Sequence, residues 1–166
     1  MKHYLLALSF FIFALQAKAQ EPELPSIPAN GFAFPIGSKF SIKLIPVDSV
    51  NYDYSVLSIE YFDTIVDSWK TDSLFSEKGE PNTIDFYFCY GTHGDTKEEK
   101  DKNMKVLLLM KNYTGEALMY TSEIQKEEDG EFVSTSNVGT YSGVKTTEIW
   151  PYMIYMIGLR EFRKRK

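Results

Sequence analysis

Residues 39–45, Lys39-Phe40-Ser41-Ile42-Lys43-Leu44-Ile45, decide the fold. Phe40, Ile42 and Leu44 alternate with Lys39, Ser41 and Lys43, a period of two that gives a strand one dry face and one wet face. The pattern recurs downstream. Residues 52–62 are rich in aromatic and β-branched side chains, with Leu57, Ile59 and Tyr61 set against Val56, Ser58 and Glu60. Residues 83–90 place Ile84, Phe86, Phe88 and Tyr90 on one side. Residues 104–110 (MKVLLLM) are nearly continuously apolar, as expected of a strand covered on both faces. Asn112-Tyr113-Thr114-Gly115 and Glu127-Glu128-Asp129-Gly130 are turn signals on either side of a returning strand at 117–125, and Phe132-Val133 follow. Turns at short intervals without βαβ alternation predict a mainly β domain, an antiparallel β-sandwich or rolled sheet.

Two stretches depart from the strand pattern. Thr96-Lys97-Glu98-Glu99 fits a capping box and predicts a short helical turn within the charged run 95–103. From Thr147 onward, Trp150, Met153, Ile154 and Ile157 follow helical spacing, with Phe162 extending the stripe, Pro151 in the first turn and basic residues at the end. That spacing predicts a C-terminal α-helix closing one end of the sandwich, with a final strand as the competing reading.

Residues 20–38 carry Pro22, Pro25, Pro28 and Pro35, which block helix and favour an extended arm laid on the domain, with Phe32 and Phe34 as its docking point. Ahead of the arm, residues 1–19 have the layout of a secretory signal peptide. A basic start (Lys2, His3) precedes an apolar run at 4–15 and the small residues Ala17 and Ala19. The run is shorter than the about 20 residues a bilayer span needs. Cleavage after Ala19 removes Lys2 and Lys18 and no acid, leaving 16 of the 18 bases against 23 acids, a net charge of −7 in place of −5. The expected organisation is therefore a signal peptide (1–19), an extended arm (20–38) and a β-rich domain (39–166) ending in a helix and a basic tail. The expected location is the periplasm or the medium, with no stable membrane anchor after cleavage, since Cys89, the only cysteine, lies far from the cleavage site. The acidic balance argues against nucleic acid, which needs clustered Lys and Arg. The charge is uneven, however: Arg160, Arg163, Lys164, Arg165 and Lys166 crowd the C-terminus.

Few chemistries have the residues they need. His93, the only histidine beyond the signal, sits in Gly91-Thr92-His93-Gly94-Asp95 near Glu98, Glu99 and Asp101. Imidazole and carboxylate are both metal ligands, but the spacing fits no zinc site and no calcium loop, and an exposed loop histidine is the simpler reading. A Cys89–His93 nucleophile pair needs hydrogen-bond contact and a third, orienting group. Cys89 falls on the strand face opposite Phe86 and Phe88, where a small buried hydrophobe is the simpler reading. Gly139-Thr140-Tyr141-Ser142-Gly143 sets its serine one place too late for a nucleophile elbow. No residue is assigned a catalytic, cofactor-binding or metal-binding role, and no cofactor is implied.

Three tripeptides, Asp48-Ser49-Val50, Asp63-Thr64-Ile65 and Asp72-Ser73-Leu74, resemble the O-glycosylation motif of secreted Bacteroidota proteins, and the Ala17-Lys18-Ala19-Gln20 region is similar to signal-peptide ends common in that phylum. Asn112-Tyr113-Thr114 is an N-glycosylation sequon in a predicted turn. The first functional expectation is an exported, non-catalytic module binding a protein or glycan, which requires an exposed apolar or aromatic patch. The second is a hydrolase or metal-dependent enzyme centred on His93, which requires a pocket where His93 meets two or more carboxylates. The third is a periplasmic immunity or inhibitor protein presenting residues 95–101 as an acidic loop.

Overall fold

The computed structural model describes residues 24–165. The signal-peptide reading of 1–19 and the first residues of the arm lie outside them. Ten strands, β1 (Gly31–Pro35), β2 (Ser38–Pro46), β3 (Asn51–Tyr61), β4 (Val66–Asp67), β5 (Thr83–Thr92), β6 (Lys105–Asn112), β7 (Leu118–Gln125), β8 (Phe132–Thr135), β9 (Lys145–Trp150) and β10 (Met156–Lys164), form one curled sheet. Its order is β8-β7-β10-β3-β2-β5-β6-β9, with β1 beside β10 and β4 beside β5. All pairings are antiparallel except the two-residue β4–β5 pair. The mainly β expectation is met by the rolled sheet. Among the described residues one α-helix, α1 (Lys97–Lys102), and one 3-10 turn (Asp72–Leu74) interrupt the strands, and neither is long enough to cross a membrane.

Curling lets one apolar face bury itself against itself. Phe40, Ile42 and Leu44 point inward, as their alternation requires, and meet Ile84, Phe86 and Phe88 across β5. Phe34 stacks on Phe40 at 3.7 Å and Phe40 on Phe86 at 4.8 Å. β6 is covered on both faces. Val106, Leu108 and Met110 enter the main core, while Leu107 and Leu109 join Val66, Tyr87 and Cys89 in a second cluster on the outer face. Residues 62–75 lie over that cluster, with Phe62, Leu74 and Phe75 packed on it.

The C-terminal helix is overturned. Residues 145–150 and 156–164 are strands β9 and β10, and the turn between them breaks the period-two phase. Within β10 a bulge between Arg160 and Arg163, with Glu161 at φ 59°, shifts the phase again, so Ile157, Leu159 and Phe162 all point inward. The two shifts together mimic helical spacing. Two of the C-terminal basic residues lie in β10 and are paired, Arg160 with Glu123 and Glu161 and Lys164 with Glu116. A second bulge, at Leu57 opposite Ser41 and Ile42, breaks the alternation in β3. Tyr54 and Val56 are inside and Leu57 is exposed, while Ile59 and Tyr61, in register with Phe40 and Ser38, are exposed toward the end of the strand. Part of the proline-rich arm is a strand, with Phe34 of β1 paired to Ile157.

β10 shares one edge between two partners, β1 along Met156–Arg160 and β3 at Phe162 and Arg163. Tyr54 fills the fork. Its hydroxyl accepts from Phe32 N at 2.8 Å and donates to Leu159 O at 2.5 Å, and its ring meets Phe162 edge-on at 5.3 Å. Burial raises the phenol's pKa, so the group stays a neutral donor and acceptor. At the other seam β9 is joined through side chains to β8 and to the segment after it: Trp150 Nε1 donates to Thr135 Oγ1 at 3.2 Å, and Glu148 Oε1 accepts from Val138 N at 2.9 Å.

Replacing Tyr54 with Phe keeps the ring and strands two backbone groups. Stability in urea should fall by about 1–3 kcal/mol with an unchanged m-value. A loss near zero would show that the fork closes without the hydroxyl.

Candidate binding surface at the strand ends

β2 begins, β3, β5 and β9 end, and β6 begins at one end of the rolled sheet, and the segments joining them form a rim. The rim is assembled from local rules. Asp67 Oδ1 accepts from Trp69 N at 3.0 Å, and Lys70 N donates to Asp67 O at 2.9 Å, closing a tight turn just after β4. Ser68 N bonds Thr92 O at 2.8 Å, which ties this turn to the end of β5. The turn throws the indole of Trp69 outward, 74% exposed. α1 follows β5 and carries the capping box expected from sequence: Thr96 Oγ1 accepts from Glu99 N, and the Glu99 carboxylate accepts from Asp95 N and Thr96 N. Those backbone donors hold the Glu99 carboxyl below its ordinary pKa. Gly94 at φ +127° allows the approach, since a Cβ there would lie 2.6 Å from Glu99 Cβ.

His93 stands at the centre. Its ring stacks against Trp69 with centroids 4.4 Å apart. Nδ1 lies 3.2 Å from Ser68 Oγ and 3.3 Å from Lys105 Nζ, and the His93 carbonyl accepts from Asn103 Nδ2 at 3.0 Å. An ammonium can only donate, so in the Lys105 contact Nδ1 is the acceptor. His93 also walls a cleft of about 430 Å³ lined by Ile65, Asp67, Lys97, Lys100, Asp101 and Met104. Met104 and Lys105 continue into a second cleft of about 260 Å³ bounded by Tyr90, Tyr152 and Met153. There the Tyr90 hydroxyl touches Met153 Sδ at 3.0 Å, and Lys126 Nζ sits 4.7 Å from the centre of the Tyr152 ring. Trp69, Ile65, Met104, Tyr152 and Met153 are all exposed large apolar residues.

The partners expected for His93 are not those it has. Glu99 is committed to the helix cap, and no carboxylate hydrogen-bonds the imidazole among the described residues. No group of three or more His, Cys, Asp or Glu side chains among them is placed to share a metal ion. The Ser68–His93 contact brings together two groups of a hydrolytic pair, but the ammonium of Lys105 occupies the same nitrogen that a base would use, and Asp67 is turned to Trp69 N and Lys70. The loop 95–101 is not uniformly acidic toward the cleft, because Lys97 and Lys100 line it beside Asp101.

The other candidates lie elsewhere. Cys89 is buried in the outer cluster, where burial pushes its thiol up to about 12. Ser142 is at the opposite end of β6, with its hydroxyl donating to Thr114 O at 2.6 Å. Asn112 of the sequon is fully buried, its amide bonded to Glu116 O and Thr114 N, so the folded chain does not offer it for glycosylation. Ser49, Thr64 and Ser73 are exposed. Ser68, Trp69 and Lys105 had not been singled out in the sequence. One signal was available for Trp69: a large aromatic in Asp67-Ser68-Trp69-Lys70, outside any apolar period, has no core to enter.

The chain matches no family model, no curated protein and no solved structure.

Cys89 should resist labelling by a disulfide reagent at pH 8 in the native state and react at once in denaturant, since the thiolate is the attacking form. Rapid labelling of folded protein would place the thiol in an open environment.

Proposed function

We propose that this protein is an exported, non-catalytic binding module and that it engages its ligand with the rim around Trp69, His93 and Met104. The observation that carries the reading is Trp69 itself. A 74%-exposed indole is held by an Asx turn on one side and a stacked imidazole on the other. Leaving so large an apolar surface in water offsets stability, and fixing it by two neighbours removes most of the ordering cost at binding. Two clefts that share Met104 lie beside this feature, the first walled by the His93 on which Trp69 stacks, and concave sites of this kind suit ligand binding. The composition of the first nineteen residues supports export. A hydrolase centred on His93 is disfavoured by the ammonium at Nδ1 and by the missing orienting carboxylate among the described residues.

The test is a two-class screen of the full chain with a random-peptide library and a panel of soluble polysaccharides. Binders of either class should be lost in Trp69→Ala, with the thermal midpoint unchanged because the side chain is exposed. They should also shield Trp69 from acrylamide quenching. Binders indifferent to Trp69, or turnover of ester or glycoside substrates that His93→Ala abolishes, would contradict the proposal.

A further inference from the structure

Resting on the rim as the binding surface, we infer that its ligand is an uncharged saccharide chain, with a sugar ring laid on Trp69 and hydroxyls met by the side chains of the adjoining cleft. The charge of the cleft is mixed. Lys97 and Lys100 face Asp67 and Asp101, and Asp67 is shared with Lys70, so neither sign of charge dominates the lining as it would in a site built for a polyanion or polycation. Three of these side chains are also free of ion pairs among the described residues. Lys39, Lys43, Lys70, Lys145 and Lys164 each reach a carboxylate, whereas Lys97, Lys100 and Asp101 make no ion pair among the described residues. The cleft therefore presents free donors and a free acceptor side by side. A hydroxyl both donates and accepts, and a polyol can use the two together.

The aromatic geometry agrees. Trp69 projects as a plate, with His93 behind one face. It does not line a hole that could swallow a peptide anchor residue. A pyranose ring has a flat C–H face and a polar rim, which matches an indole bordered by wet hydrogen-bonding groups. A protein partner would have to cover Lys97, Lys100 and Asp101, and buried interface centres are depleted in such residues because their desolvation is costly. Single-stranded nucleic acid also stacks on aromatic plates, but it needs a positive groove, and this chain carries 23 acids against 18 bases. The second cleft, reached across Met104 and lined by Tyr90 and Tyr152, gives a chain of sugars a path beyond a single ring.

Affinity electrophoresis of the full chain tests this with neutral polysaccharides (a β-glucan, a xylan, a mannan), with polygalacturonate, and with oligo(dT) as a competitor. At least one neutral polymer should retard the protein, and added salt should leave the retardation unchanged. Trp69→Ala should weaken it by about tenfold or more, as truncating a central aromatic anchor does, with Trp69→Phe retaining part of the affinity. Asp101→Asn with Lys100→Gln should weaken binding less than Trp69→Ala. Retardation only by polygalacturonate or displacement by oligo(dT), abolished by salt, would overturn the uncharged ligand. Peptides that need Trp69, with no polysaccharide bound, would overturn the saccharide and leave the rim standing as the binding surface. Polysaccharide binding indifferent to Trp69 would overturn both.

Discussion

The fold depends on how a ten-stranded sheet closes where one edge must serve two partners. β10 gives the first part of its edge to β1 and the last part to β3, and between them the ladder is interrupted. Buried backbone groups at such a fork need partners, because leaving one unpaired costs a large share of a domain's net stability. Tyr54 supplies them with a single hydroxyl that both accepts and donates. Its ring fills the space below, against Phe32 and Phe162, while Tyr120 stacks on the far side of Phe162 at 5.2 Å. One residue thus joins polar satisfaction to core packing at the place where the sheet turns back on itself.

Closure has a consequence for the surface. Once the inner face is buried and residues 62–75 cover the outer face of β5 and β6, exposed apolar residues remain on the outer faces of β3, β8 and β9 and gather at the strand ends around Trp69. The connections there are tied down: β4 anchors the Trp69 turn to β5, and the Thr96–Glu99 box fixes α1. The rim carries exposed aromatic and methionine side chains, and the turn that holds Trp69 is fixed by hydrogen bonds to its own backbone and to β5. That combination suits recognition by a preorganised surface.

Much of the sheet was legible in the sequence, and the reasons for the exceptions are local. Strict alternation at 39–45 gave β2 and its inward face. The uninterrupted apolar run at 104–110 announced a strand covered twice, and the two clusters that Leu107 and Leu108 enter are those two coverings. Thr96 and Glu99 formed their cap because the capping box is a short-range interaction. The C-terminus failed because period-two reasoning assumes an unbroken strand. The turn after Trp150 and the bulge at Glu161 each reset the phase, and their sum falls near the helical repeat. Leu57 failed for the same reason on β3. The site was less legible than the fold. His93 was visible as a lone loop histidine, but its partners Ser68 and Lys105 lie 25 and 12 residues away, brought to it by the β4–β5 and β5–β6 pairings. No nearest-neighbour rule reaches that far.

The most direct measurement is native-state hydrogen exchange at the amide of Phe32, whose N–H donates to the Tyr54 hydroxyl. If the fork holds the sheet closed, that proton exchanges as slowly as the amides of β5 and β6, through global unfolding alone. Exchange orders of magnitude faster, with β5 and β6 still protected, would mean that β1 opens independently and that Tyr54 is not the keystone of the fold.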